Sequence, residues 1–166
     1  HQSGEGRSRT NINLPGLQKE LLKEIKKVNK NIVLVVMSGR PLDLTWEDKN
    51  IPAIVQAWQL GSRSGDAIAQ VLYGDYNPSG KLTMSFPRNV GQVPVYYNFK
   101  NTGRPSTSIE QVTNSGYADV ENSPLYSFGY GLSYTNFSYT DLKISSDSMT
   151  KNSKINASVT VSNTGR

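Results

Sequence analysis

The side chains able to do chemistry are narrowed sharply by two counts. The chain of 166 residues has no Cys, and its single His is His1. Thiol nucleophiles, thiolate zinc sites, iron–sulfur ligation and disulfide scaffolds are excluded. So are a Ser-His-Asp triad and any acid–base catalysis by an internal imidazole. Carboxylates, hydroxyls, Tyr and Lys remain. Among the carboxylates Glu5 stands apart, because Gly4 and Gly6 flank it and Ser3, Arg7, Ser8, Arg9 and Thr10 surround it with donors. Glycines allow a backbone to approach a ligand closely, and a carboxylate on such a loop can project into a cleft. A solvated Glu on a terminal loop is the competing reading of the same spacing. The other carboxylates carry less. Glu47 and Asp48, after Trp46, read as an exposed turn, and Asp75 beside Gly74 reads as a turn residue bonding its own backbone. Asp119 and Glu121 lie in a polar loop with nothing to single them out. Tyr96, Tyr97, Tyr126, Tyr130 and Tyr134 offer stacking faces for a sugar, or simply pack loops onto the body of the fold.

The elements that must position these groups follow from periodicity. Residues 1–13 are polar and rich in Gly and Ser, hence loop. Asn13 or a neighbour is expected to cap a helix with Pro15 in its first turn. Leu17, Leu21, Leu22, Ile25 and Val28 then recur at helical spacing opposite a face of Lys and Glu. Residues 32–37 form a continuous apolar run rich in β-branched side chains, the pattern of a strand buried in a parallel sheet. Ser38-Gly39-Arg40-Pro41 stops it. A second run, 53–58, reads as a strand parallel and adjacent to the first, and a helix beginning near Ser62 carries Ala67, Ile68, Val71 and Leu72. Helix–strand–strand–helix at these lengths argues an open α/β sheet with helices over its faces. Lys81 to Phe86 reads as a short strand closed by Pro87. Residues 98–124 are poor in apolar side chains and are expected to form a long surface loop, the least ordered internal segment. From Ser138 the pattern alternates with period two (141–144 and 154–161), as in the first strands of a β-sandwich.

Net charge and composition exclude further classes. The formal charge is +5, from 18 Lys and Arg against 13 Asp and Glu. Five of the Lys fall between Lys19 and Lys30, interleaved with Glu20 and Glu24 so that Glu20–Lys23 and Glu24–Lys27 make i,i+3 pairs on a solvated helix face. No Arg-rich arm or basic stretch interleaved with aromatics is present, so nucleic acid is not an expected partner. The longest apolar run is far too short for a membrane span, and no signal-peptide pattern opens the chain. Without an initiator Met, the sequence reads as a piece of something longer.

Taken in order, several blocks carry a family resemblance. They are Gly4-Glu5-Gly6-Arg7-Ser8-Arg9-Thr10, Leu14-Pro15-Gly16-Leu17-Gln18 and Ser38-Gly39-Arg40-Pro41-Leu42. Further along come the stretch from Gly61 to Leu82 (with Gly74-Asp75-Tyr76-Asn77-Pro78-Ser79-Gly80), Phe86-Pro87-Arg88, and Phe128-Gly129-Tyr130-Gly131-Leu132-Ser133. Residues 3–136 thereby resemble the C-terminal α/β domain of family 3 glycoside hydrolases, the β-glucosidase and β-xylosidase group. The tail from Ser138 resembles the start of a fibronectin III-like domain.

The resemblance implies an α/β fold, part of an open three-layer α/β sandwich, followed by the first strands of a β-sandwich. Domain boundaries would be 1–137 and 138–166. It further implies a retaining exo-β-glycosidase acting on a β-linked oligosaccharide or glycoside, without cofactor or metal, in the periplasm or outside the cell. The family's acid/base Glu maps onto Glu5, and Arg9 maps onto an organiser of that loop. The nucleophilic Asp lies on an N-terminal (β/α)₈ barrel that this chain lacks, so the 166 residues alone are not expected to be active. The alternative is a non-catalytic carbohydrate-binding or structural module of a larger secreted protein, which would need no carboxylate at Glu5.

Overall fold

A computed structural model describes residues 6–101, 103–106, 109–111 and 113–165. The order of elements is α1 (Gln18–Val28), β1 (Val33–Val36), α2 (Thr45–Asn50), β2 (Ala53–Gln56), α3 (Ser64–Tyr73), a 3₁₀ turn (Val90–Gln92), β3 (Phe137–Ile144) and β4 (Ala157–Asn163). The architecture mixes helices and strands, with no closed barrel among the described residues. β1 and β2 pair in parallel, Val33 opposite Ala53 through Val36 opposite Gln56, as the two apolar runs predict. Parallel neighbours need a crossover between them, and α2 supplies it. β3 and β4 pair antiparallel with an irregularity between Thr140 and Lys143.

Three local expectations are corrected. α1 begins at Gln18 rather than near Asn13, and Leu17 at its N-cap position makes no side-chain capping bond. Asn13 instead donates its backbone N–H to Asn11 Oδ1 at 2.8 Å, a local side-chain–backbone turn that competes with helix initiation. The segment 81–86 is no strand. Phe86 forms an isolated bridge with Tyr126 and Leu82 exchanges backbone bonds with Gly129 and Tyr130, but no continuous ladder joins them, because the partner chain there is a turn-rich loop rather than a strand. Glu47 and Asp48 belong to α2, not to a turn, and Glu47 is fully buried. A helix of six residues carries too little periodicity to be legible beside the turn signals around it.

The core is small and draws on both strands and the loops around them. Val36, Leu44 and Phe86 are its buried centre, with Leu34, Leu42, Ile54, Trp58, Leu82 and Tyr126 packed around them. The Phe86 ring lies 5.9 Å from Trp58 and 6.0 Å from Tyr126. The α1 stripe does not reach this core. None of its residues is buried, and Val28 is 87% exposed. Two strands about 5 Å apart present too narrow a face to cover a three-turn amphipathic helix.

Glu47 is the exception to an apolar interior. Its side chain has no exposure, neither carboxylate oxygen has a hydrogen-bond partner, and Lys19 Nζ stands 3.7 Å from Oε1. Loss of hydration raises its pKa above the ordinary carboxylate range, and the Lys19 charge offsets only part of this. Lys19, Lys23 and Lys26 lie 5.8–6.0 Å from the Trp46 ring centroid, so the face read as solvated ion pairs is partly a cation–π seam between α1 and α2. Glu24 does pair with Lys27 at 2.6 Å. An acid whose folded pKa is raised binds its proton more readily folded than unfolded. Its contribution to stability therefore falls as pH rises from the unfolded value near 4.5 through the folded pKa. The Glu47→Gln variant should lose this slope, and gain on the parent protein between pH 4 and pH 7 in urea unfolding. Parallel curves for the two proteins would show that Glu47 does not titrate in that window.

The segment 98–124 has no helix or strand among its described residues. Ser115 N donates to Arg104 O (2.7 Å), Tyr117 N to Asn122 Oδ1 (2.9 Å) and Gln92 Nε2 to Glu121 O (2.6 Å). Buried Gln92 also accepts from Arg88 N at 2.6 Å, so it ties the end of this loop to the body.

Candidate active site

Because β1 and β2 are parallel, their carboxyl ends emerge side by side at Val36 and Gln56. Open α/β sheets bind ligands in the crevice outside those ends. A groove of about 650 Å³ lies there, floored by Leu34, Val36 and the α1 residues Leu21 and Leu22. Its rim is polar and basic. Arg7, Ser8 and Arg9 come from the N-terminal loop, Ser38, Gly39 and Arg40 from the turn after β1, and Gln59 from the turn after β2.

The turn after β1 is anchored to the sheet. Gln56 Nε2 donates to Ser38 Oγ at 3.2 Å, and Ser38 Oγ donates to Arg40 O at 2.8 Å. Arg40 Nη1 then donates to Ser8 Oγ at 3.2 Å, joining the sheet end to the N-terminal loop. A Cβ at Gly39 would meet Gln59 Nε2 at 3.1 Å, a tight approach to which the end of the Gln59 side chain would have to yield. After β2, Trp58 holds φ at +55°, a left-handed conformation that costs a non-glycine residue about 1–3 kcal/mol. Its ring is clamped against Phe86, and that core contact holds the turn in place.

The sequence-derived candidates fall differently. Glu5 lies outside the described residues. Arg9 is half-buried on the groove wall, and among the described residues its side chain makes no hydrogen bond or ion pair. Asp75, Asp119 and Glu121 are exposed, and none of them lines the groove. Asp48 accepts the Tyr126 hydroxyl at 2.6 Å, and burial raises the pKa of Tyr126 so that it stays the donor. The tyrosines divide. Tyr126 and Tyr130 stack at 5.2 Å over the core, and Tyr134 donates to Val71 O at 2.6 Å. Tyr97 stacks on Phe128 at 4.6 Å, and both Tyr96 and Tyr97 are exposed. The reading by residue type counted Ser8 only among the donors around Glu5 and passed over Ser38, Arg40 and Gln56 as site residues. The usable signal was position, since Ser38-Gly39-Arg40 directly follows a parallel strand.

Fold and groove define an α/β domain with a polar site at the strand ends. Residues 1–134 match the family model "Glycosyl hydrolase family 3 C-terminal domain", and the chain belongs to glycoside hydrolase family 3. It is 52% identical over 163 residues to a periplasmic β-glucosidase of Salmonella typhimurium, covering 98% of this chain and 21% of that protein. It is 44% identical over 167 residues to a β-xylosidase of Formosa agariphila, covering 98% and 22%. Among solved structures, a β-glucosidase from Listeria innocua in complex with glucose is similar with a TM-score of 0.78 and 41% identity over 87% of this chain and 20% of that one. A β-glucosidase from Erythrobacter marinus gives 0.81 and 38% over 99% and 21%. The chain thus spans about a fifth of the length of the relatives it matches.

Proposed function

We propose that these residues are the acid/base-bearing part of a retaining exo-β-glycosidase that removes terminal non-reducing β-linked sugars. Residues 1–137 would belong to a three-layer α/β sandwich completed by further chain, and 138–166 would open a fibronectin III-like domain. The nucleophilic Asp would come from a (β/α)₈ barrel packed against the groove, in a periplasmic or extracellular enzyme. The observation that carries this reading is the seating of Arg7, Ser8 and Arg9 on the groove rim in a chain of this family. Glu5 precedes Arg7 by two residues in the sequence.

Two carboxyl groups flank the scissile bond in such chemistry, about 5–5.5 Å apart when configuration is retained. One attacks the anomeric carbon while Glu5 protonates the departing oxygen. Glu5, now a carboxylate, then takes a proton from water as that water attacks the glycosyl–enzyme ester. Arg9 would hold the loop through charge-assisted bonds.

Proton NMR of the sugar first released tests the reading. Joined to the barrel, the enzyme should release the β anomer from a β-glycoside before mutarotation, whereas the 166 residues alone should release nothing. Initial appearance of the α anomer would overturn the retaining assignment, and hydrolysis by the isolated chain would overturn the need for a second carboxylate elsewhere.

A further inference from the structure

We propose that Arg40 is a positioning residue that locks the loop bearing Glu5 onto the carboxyl end of the sheet, through its bond to Ser8. This rests on the reading of Glu5 as the acid/base. A general acid works only within hydrogen-bond reach of the leaving oxygen, and residues 6–10 contribute neither a helix nor a strand of their own to hold it there. Arg7, Ser8 and Arg9 share the groove with Leu34, Val35 and Val36 of β1. The path from the β1–β2 pair is continuous: Gln56, the last residue of β2, to Ser38 at 3.2 Å, Ser38 to the Arg40 carbonyl at 2.8 Å, and the Arg40 guanidinium to the Ser8 hydroxyl at 3.2 Å. Ser8 is three residues from Glu5. Among the described residues this is the only side-chain hydrogen bond that joins residues 6–10 to the turn after β1. The turn also runs close to the one after β2, since a Cβ at Gly39 would come within 3.1 Å of Gln59 Nε2.

Loss of the link should misplace the acid without removing it. In the complete enzyme, Arg40→Ala should slow alkyl glycosides by about 10–100-fold in kcat, the scale of an ångström-sized misplacement. Glycosides of strongly acidic phenols, which need little protonation, should lose less than about threefold in the glycosylation step, because the acid contributes little to their transition state. Ser8→Ala should follow the same pattern, and Arg40→Lys, which keeps one donor for Ser8, should recover most of the loss. Combined with Glu5→Gln, Arg40→Ala should cost nothing further, since groups acting as one unit are not additive. A melting temperature near that of the parent protein would show that the variant remains folded. An equal loss for all leaving groups, or full additivity with Glu5→Gln, would overturn the positioning role. If Glu5→Gln itself showed no dependence on leaving group, the acid/base reading would fall and take this role with it. A leaving-group-dependent Glu5→Gln beside an Arg40→Ala without effect would overturn Arg40 alone.

Discussion

Replacing Glu5 by Gln or Ala in the complete enzyme is expected to slow hydrolysis of unactivated glycosides by roughly 10²–10⁴-fold, the usual worth of a positioned acid or base. The size of the loss should track the leaving group. An alkoxide departs only with a proton, whereas an acidic phenol departs readily without one, so aryl glycosides should lose less in the first step. The second step still lacks its base. Attack of water on the glycosyl–enzyme ester then becomes limiting, and the intermediate should accumulate as a rapid burst of phenol followed by slow turnover. Azide needs no deprotonation to attack, so adding it should restore turnover of aryl substrates and yield a β-glycosyl azide. Steady-state rates across a series of phenols, with and without azide, make the measurement. A uniform loss without azide rescue would reduce Glu5 to a binding or structural residue.

Truncating Phe86 to Ala should destabilise the protein by about 3–5 kcal/mol, a large share of the 5–15 kcal/mol typical of a whole domain. Phe86 is 1% exposed and stands between Trp58 and Tyr126. Its backbone also accepts from Leu125 N and donates to Tyr126 O, both at 2.8 Å. Removing the ring empties the centre of a core whose other fully buried apolar side chain is Leu44, so little is available to collapse into the space. The same ring holds Trp58 in its left-handed conformation, so the turn after β2 should loosen as well. Phe99→Ala is the control, since Phe99 is 77% exposed and its loss should stay within about 0.5 kcal/mol. Urea unfolding of both variants decides the matter. A Phe86→Ala cost below about 1 kcal/mol would mean that the core is not organised around this ring.

What the sequence alone determines here is local or carried by order. The apolar runs at 32–37 and 53–58 specify two strands, and the helical spacing from Leu17 to Val28 specifies an amphipathic helix, because side-chain period is written directly in the chain; the burial expected of the first strand is met only at Val36, while Val33 stays half exposed. The long loop over 98–124 follows from its poverty in apolar residues, which leaves little burial to offset ordering. The blocks from Gly4 to Ser133 specify the family, and with it the role expected of Glu5. Tertiary structure decided the rest. Glu47 looks like any solvated acid after a Trp, and only the folded chain strips it of water, with Lys19 Nζ 3.7 Å away and Asp43 as a like-charged neighbour. By local pattern Phe86 ends a strand, yet its partner Tyr126 lies forty residues on, a pairing no local pattern encodes. Arg40 reads as a strand stop. Its tie to Ser8 spans 32 residues of sequence, and it exists because the parallel pairing of β1 with β2 brings both turns and the N-terminal loop to one end of the sheet. Periodicity records which face of an element is apolar, while long-range pairing, which sets where the polar groups meet, is recorded only in the folded chain.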